Sequence, residues 1–418
     1  MSASTGARDH AGRLASGALA TAAAAVVAAT AYDRGGFAVE SRTTLALGVW
    51  WLLLLGVALG LWPAGRIGRW PVAALGTFAA FAAWTLASAL WAPSSEGAFA
   101  DGARTLGYVG VFALGVLAGS RATLRAWSGG VAAGIAGICL LALASRLFPG
   151  LMPGRPLATF LPAAAPRLSF PLEYWNALGV FAALGVPLLL ALAARSAWPV
   201  RAAAVGVIPA LTGVVYLTSS RGAALALLVG IVVFVAASGR RWVAAGSAAA
   251  ALAGSAVVVG VLLRRDALVD GPVGSAAARA EGRGAALLIA VACLAAAAVH
   301  EVALRAGSRV PAPPRAARVV ALALVAAAVL VGAAAGDPGR RLDEFRRLPA
   351  AGPTLGTPGY AQAHLSAVNG SGRWQFWAAA VDEFADAPLH GGGAASYERW
   401  WARHASFAYA VQDAHSLY

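Results

Sequence analysis

The stretch that decides the fold runs from Trp175 to Ala194 and reads WNALGVFAALGVPLLLALAA, without one charged side chain. A helix of about 20 apolar residues has the length needed to cross the hydrocarbon core of a bilayer. Ten further runs of this kind bring the predicted spans to eleven, at residues 15–31, 43–62, 70–91, 105–120, 127–148, 175–194, 200–218, 222–239, 242–263, 285–304 and 319–335. The sequence therefore predicts an all-α integral membrane protein, a polytopic helical bundle with about 11 transmembrane helices and a large extracytoplasmic loop region.

The composition excludes most other classes of protein. Of 418 residues, 60% are hydrophobic and 12% are charged, whereas soluble domains carry about 45–50% apolar residues and about 25% charge. All 32 basic residues are arginine, which excludes lysine-dependent sites such as a Walker A loop or a Schiff base. Cys139 and Cys293 both lie in apolar runs, which argues against a disulfide framework or a cysteine metal site.

The arginines predict the orientation of the spans. With the N-terminus in the cytoplasm, the inner loops carry 14 arginines against two acids, Asp9 and Glu301, as the positive-inside rule requires. Without the short fourth run, residues 105–120, every later loop would change sides and the arginine-rich loops would lie outside. The pattern favours a multi-pass protein of the inner (cytoplasmic) membrane, whose first run, residues 15–31, is a retained span. It also assigns the net charge of +14 to topology and lipid contact, and not to nucleic-acid binding.

This orientation divides the chain into four parts. They are five helices within residues 1–148, an irregular outer loop with six prolines at 149–174, helices six to eleven within 175–335, and a second outer region at 336–418.

The second outer region begins with turn signals and continues as one amphipathic helix. Asp337-Pro338-Gly339 predicts a turn, and Ser371 is a predicted helix N-cap. The helix places four apolar side chains on one face, which we expect on the membrane surface or on the outer ends of the spans: Trp374, Trp377, Val381 and Phe384. Pro388 ends this helix, and the glycines after His390 predict a turn.

Two outer arginines are candidates for binding a phosphate. Arg221 lies in the tight turn Thr218-Ser219-Ser220-Arg221-Gly222, where a guanidinium fork can meet a phosphate at headgroup depth. Arg373 begins the outer helix, and helix N-termini attract anions. The alternatives are that Arg221 only marks the water interface and that Arg373 only covers Trp377.

Two further outer segments carry candidate polar groups. Arg167, Tyr174 and Asn176 lead into the sixth span and could form a polar wall, or else an aromatic belt with Asn176 as a helix cap. His415 is a candidate general base, or else a solvated loop histidine. The histidine spacing matches no zinc site and there is no Asp-x-Asp pair, so no metal is predicted. The spans carry few ionisable groups, which argues against an ion-coupled transporter.

Taken in order, these stretches resemble the O-antigen ligase-like family, bacterial membrane glycosyltransferases that move lipid-linked glycans on the outer side of the cytoplasmic membrane. The resemblance covers residues 150–418 and is carried by Asn176 to Gly179, Ser220 to Gly222, Ser371 to Arg373, Pro388 to Gly393 and Ala414 to Tyr418. Serine follows His415 where asparagine is usual. The chain stops at Tyr418 where family members continue into further spans, so it is similar to a C-terminally truncated member.

The resemblance implies a metal-independent transfer of a glycan from a polyprenyl-diphosphate carrier to an acceptor hydroxyl, without a cofactor, in an extracytoplasmic active site. The implied partners are the polyprenyl-diphosphate-linked glycan, membrane lipid and an unidentified glycan acceptor. The implied roles are diphosphate binding by Arg221, Arg373 and Arg167, general base for His415, and donor positioning by Tyr174, Asn176 and Ser220. Two alternatives stay open: a lipid-linked glycan polymerase of the same family, and a non-catalytic glycan or lipid exporter.

Overall fold

The computed structural model describes residues 2–62, 67–119, 121–151, 166–307, 337–348 and 359–415. Within these ranges the regular structure is entirely helical. The helices are α1 (Ser2–Tyr32), α2 (Val39–Ala58), α3 (Arg69–Ala87), α4 (Ser95–Leu117), α5 (Arg121–Leu147), α6 (Trp175–Ala193), α7 (Trp198–Leu217), α8 (Arg221–Ala237), α9 (Arg241–Leu262), α10 (Asp266–Val269), α11 (Ala276–Gly307), α12 (Pro338–Arg346), α13 (Tyr360–Ser366), α14 (Arg373–Asp386) and α15 (Tyr397–His404).

Eight of the described helices are long and apolar enough to cross a membrane, which confirms a helical membrane protein. They are α1, α2, α3, α5, α6, α7, α9 and α11. Helix α8 is apolar but has only 17 residues. Helix α4 contains most of the predicted fourth run but starts earlier, at Ser95, with Glu96, Asp101 and Arg104 in its first turns. The predicted run at 319–335 lies outside the described residues, so the count of eleven stays a prediction.

The first of two compact units comprises Met1–Gly36, Arg121–Arg315 and Pro353–Ala367. Its core is formed by apolar side chains of α5, α6 and α7, with α9 and α11 packed around them. The largest fully buried residues there include Leu178, Leu190, Ile208 and Leu211. Helices in lipid associate through such close van der Waals packing, because lipid is as apolar as the side chains themselves.

Helix α1 packs against α5 through two glycines one helical turn apart. A Cβ atom on Gly130 would overlap the backbone carbonyl of Ala20, and one on Gly134 would lie 2.8 Å from the carbonyl oxygen of Ala24. This is the small-xxx-small arrangement that lets two membrane helices approach at backbone distance. The first helix is therefore an integral part of this unit.

The loops of the first unit meet at two ends. At one end the N–H of Leu168 donates to the carbonyl of Leu217 (2.9 Å), and Arg34 pairs with Glu173 (3.0 Å). We call this the α13 end, because α13 also lies there, as described below. Which side of the membrane the α13 end faces stays a prediction.

The other end of the first unit carries the loops predicted to be cytoplasmic. Arg195 donates to the carbonyl of Arg125 (3.0 Å) and to Ser128 (2.8 Å). Arg201 forms a two-bond pair with Glu301, at 2.8 and 2.7 Å. The acid that the sequence assigned to an inner loop is thus neutralised by an arginine of the same end.

The second unit comprises Phe37–Ser120, Ala316–Gly352 and Val368–Tyr418. Beside the α2–α3–α4 bundle it holds a small core in which Phe376 and Ala379 of α14 pack against Trp401 and Val411. The segment after Pro388 lies against the turn between α3 and α4: the N–H of Ala394 donates to Ser88 Oγ (3.0 Å), and Arg399 donates to the carbonyl of Pro93 (2.5 Å).

Two predictions about the helix starts of the outer region are wrong. Ser371 is not the N-cap of α14: Gly372 holds that position at φ 85°, and the Ser371 hydroxyl donates to Asn369 instead. Asp337-Pro338-Gly339 is the start of α12 and not a turn, because the Asp337 side chain accepts from the N–H of Arg340 (3.2 Å). Asp at the N-cap followed by Pro is a strong helix-start signal.

Candidate anion-binding site

A buried carboxylate holds α13 at its end of the first unit. Asp270, only 4% exposed, accepts a hydrogen bond from the N–H of Ala361 (3.0 Å), and the N–H groups of Gly359 and Tyr360 also bind it. A negative side chain at a helix N-terminus satisfies donors that the helix itself leaves unpaired. Burial raises the pKa of Asp270, although these backbone hydrogen bonds oppose the shift.

Arg167 lies against one face of α13, among aromatic rings. Its Nη2 atom donates to the hydroxyl of Tyr360 (3.1 Å) and lies 3.0 Å from Nε2 of His364. Its guanidinium carbon lies 5.1 Å from the ring centroid of Trp175. The Nε atom of Arg167 is buried without a hydrogen-bond partner among the described residues.

Arg221 contacts the residue that follows α13. It is the first residue of α8, whose N-cap is Ser220; the Ser220 hydroxyl accepts from the N–H of Ala223 (3.3 Å). The preceding Ser219 has φ 51°, and this left-handed turn sends the chain from α7 into α8. Arg221 Nη1 donates to the carbonyl of Ala367 at 2.5 Å.

Two of the three arginines predicted to bind a diphosphate therefore contact the same short helix or the residue that caps its end. Arg167 reaches His364 and Arg221 reaches Ala367, which lie within one helical turn of each other. The sequence separations are large, and Asp270 binds the start of the same helix. The α13 end thus carries two guanidinium groups facing one polar element.

The predicted donor-positioning residues lie at the start of α6 in the same unit. Tyr174 is the N-cap residue, so Asn176 lies in the first turn and is not the cap. The Asn176 amide donates to the Tyr174 hydroxyl (3.1 Å). The ring centroids of Tyr174 and Trp175 lie 5.3 Å apart, edge to face. Trp175 thus touches both Tyr174 and Arg167, whereas the Ser220 hydroxyl is used as a helix cap.

The second unit holds the other two predicted residues, His415 and Arg373. Nδ1 of His415 lies 3.0 Å from Asp413 Oδ1, and the backbone N–H of His415 donates to the same oxygen (2.7 Å). Burial raises the pKa of Asp413, but the hydrogen bonds from His415 and the charge of Arg104 outweigh it, so that the pKa lies below its usual range. An imidazole oriented by a carboxylate is the arrangement that general bases use.

His415 and the start of α14 share one neighbour, Phe376. The rings of His415 and Phe376 pack edge to face, with their centroids 5.3 Å apart. Gly372, the residue before Arg373, approaches the same ring so closely that a Cβ atom there would lie 3.1 Å from it. The second unit therefore brings His415 near the N-terminus of α14.

Four residues of these two sites were given no role by the sequence reasoning: Asp270, Tyr360, His364 and Asp413. Tyr360 and His364 are four residues apart, which places them on one face of a helix. Their rings are stacked, with the centroids 5.9 Å apart. That spacing was a usable signal, but no helix was predicted there. Asp413 precedes His415 by two residues, and this too could be seen in the sequence.

The fold and these sites define a class: a helical membrane protein with arginine-rich polar contacts at the ends of its helices. Compared with known proteins, the chain matches no family model, no curated protein and no solved structure.

Proposed function

We propose that the protein is an O-antigen ligase-like membrane glycosyltransferase, which transfers a glycan from a polyprenyl-diphosphate carrier to an acceptor hydroxyl on the outer side of the cytoplasmic membrane. The observation that carries the proposal is that Arg167 and Arg221, from two different segments, both contact α13 or the residue that follows it. Guanidinium groups bind phosphate oxygens with two parallel hydrogen bonds, and a lipid diphosphate lies at the depth where the membrane helices end.

In the proposed reaction the acceptor hydroxyl oxygen forms a bond to the anomeric carbon of the glycan. The bond from that carbon to the diphosphate oxygen breaks, and its electron pair leaves with the polyprenyl diphosphate. Arg167 and Arg221 stabilise the negative charge that develops on the leaving group, with Arg373 as a third candidate. Donors fixed in advance in this way are among the largest contributions to catalysis.

His415 is the proposed acceptor of the hydroxyl proton. Asp413 binds Nδ1, which leaves Nε2 as the nitrogen that can take the proton and lets the carboxylate stabilise the imidazolium. Histidine is suited to this role because it exchanges its proton near neutral pH. No step in this scheme is assigned to a metal ion.

The test uses the full chain in sealed liposomes, incubated with a polyprenyl-diphosphate glycan labelled in both sugar and lipid and with a cell-envelope extract that supplies the acceptor hydroxyls. We expect free polyprenyl diphosphate and a labelled glycan product, in equal amounts and unaffected by EDTA. Arg221→Lys keeps the charge but loses the two-bond geometry, so turnover should fall by about 10- to 1000-fold, as for removal of one transition-state donor.

Arg279→Lys is the matched control, because Arg279 also donates Nη1 to a backbone carbonyl, that of Gly274, at 2.5 Å but is exposed. Its turnover should equal wild type. Movement of the intact labelled glycan without release of polyprenyl diphosphate would identify an exporter and refute the proposal. Release that requires a divalent ion would refute the metal-independent scheme.

A further inference from the structure

The contact between Arg167 and His364 fixes the state of the imidazole. A guanidinium group has only donors, so the 3.0 Å contact from Nη2 is a hydrogen bond only if His364 Nε2 offers its lone pair. In this state His364 is neutral and its proton is on Nδ1. The geometry therefore assigns a tautomer to a residue outside the sequence motifs.

Arg167 is a cation that the protein leaves incompletely paired. The two hydrogen bonds of its Nη2 go to neutral groups, Tyr360 and His364, and its buried Nε has no partner within the described residues. In that part of the chain Arg167 makes no ion pair, whereas Arg34 and Arg201 each bind a carboxylate. A buried unsatisfied donor on a cation is costly, and a water molecule or an anion can compensate for it.

We propose that Arg167, Tyr360 and His364 form a phosphate-binding site in which His364 is an exchangeable partner of the arginine. An oxygen of the phosphate group accepts the Nη2 hydrogen in place of His364 Nε2. The released Nε2 takes up a proton from water, and the imidazolium becomes a second donor to the same anion. This rests on the proposed function only for the identity of the anion, a diphosphate.

Charged side chains reach α13 from three neighbouring elements, and the two arginines among them support this coupling. Arg167 faces His364 from the segment before α6, Arg221 contacts the end of α13 from α8, and Asp270 binds the other end of α13 from the α10–α11 connection. The two arginines disfavour a third positive charge while no anion is bound. A bound phosphate reverses this balance, so proton uptake and anion binding should assist each other.

The test measures binding of inorganic pyrophosphate to the full chain in phosphatidylcholine nanodiscs, at pH 8 and pH 6. Pyrophosphate itself takes up protons in this range, so the comparison is between variants at each pH. Relative to His364→Asn, the wild type should gain about tenfold in affinity from pH 8 to pH 6, because only the wild type adds a charge. His404→Asn, an exposed histidine of α15, is the matched control and should behave as wild type. Equal pH dependence in wild type and His364→Asn would overturn the proposal.

Two further measurements identify the source of the phosphate and guard against a variant that fails to fold. Farnesyl diphosphate in the nanodisc should compete with pyrophosphate; competition by phosphatidylglycerol alone would show a lipid headgroup site and refute the diphosphate. In nitrogen NMR of labelled wild type at pH 8, the ring of His364 should carry its proton on Nδ1 and shift when pyrophosphate is added. A proton on Nε2, or no shift, would also overturn the proposal. Neither measurement depends on glycan transfer. A protein that binds pyrophosphate as described but transfers no glycan would therefore refute the proposed function and leave this inference standing.

Discussion

Replacing Asp270 with alanine should release α13 from the first unit. The carboxylate binds the N–H groups at the start of this helix and is almost fully buried. An isolated helix of seven residues is not stable in water, so α13 depends on such anchoring. Because α13 carries the partners of Arg167 and Arg221, its release should also separate the two arginines.

The size of the effect follows from the number of donors left unpaired. Loss of a capping side chain costs about 0.5–2 kcal/mol, and we take about 2 kcal/mol because three buried N–H groups lose their acceptor. Since about 1.4 kcal/mol corresponds to a factor of ten, α13 should open roughly 30-fold more often. Asp270→Asn keeps one carbonyl oxygen and should show an intermediate effect.

Hydrogen exchange followed by mass spectrometry measures this opening, through the peptide that covers residues 359–367. The exposed neighbour Asp266 provides the control, since Asp266→Ala should leave that peptide unchanged. Unchanged exchange in Asp270→Ala would refute the anchoring role.

The same site predicts a pH dependence. Because the pKa of Asp270 is raised in the folded protein, the folded state binds its proton more tightly than the unfolded state does. The contribution of Asp270 to the free energy of unfolding of the protein should therefore fall as the pH rises from about 3.9 through the raised pKa, and stay constant above it. Asp270→Ala should abolish this pH dependence. A pH dependence that survives the substitution would show that Asp270 is not its source.

Three further predictions concern the packing and the second unit. Gly130→Ala should destabilise the α1–α5 contact by about 1–3 kcal/mol in detergent unfolding, whereas Gly137→Ala, with open space at its Cβ, should not; equal stability of the two would contradict the close approach. Glu301→Ala should lower the free energy of unfolding by about 1–3 kcal/mol. This is below the range for fully buried ion pairs, because the Arg201 side chain is 28% exposed. A double-mutant cycle with Arg201→Ala should show a coupling energy between the two residues. Carbon NMR of Asp413 should give a titration midpoint below about 3.9. The contact between Asp413 and His415 should therefore persist above that pH and be lost as the pH falls through the lowered pKa. A midpoint above about 3.9 would contradict this contact.

The spans could be predicted because their signal is local. Each needs only about 20 consecutive apolar residues, and a run such as 175–194 satisfies this whatever the rest of the chain does. The ends of helices depend on more distant contacts. Helix α11 starts at Ala276, before the predicted run at 285, because Glu281 in its first turns binds the N–H of Leu268 (2.8 Å) and stabilises a polar helical segment.

The candidate sites were predictable only in part, for the same reason. Arg221 and Arg373 stand out because each opens a helix after a short polar turn, which is visible in the sequence. Asp270 and Ala361 are 91 residues apart, and no local pattern indicates that one binds the other. His364 becomes notable only when that contact places α13 beside Arg167.

The pairing of α1 with α5 has a consequence for biosynthesis. The ribosome completes α1 at Tyr32, but Gly130 and Gly134, which receive it, are made only about 100 residues later. At about 5–20 residues per second, the first helix waits roughly 5–20 s in the bilayer before its partner arrives. During that time its alanine-rich surface is open to other newly inserted helices. Chaperones or the translocon therefore have a defined interval in which to prevent α1 from pairing with a wrong helix.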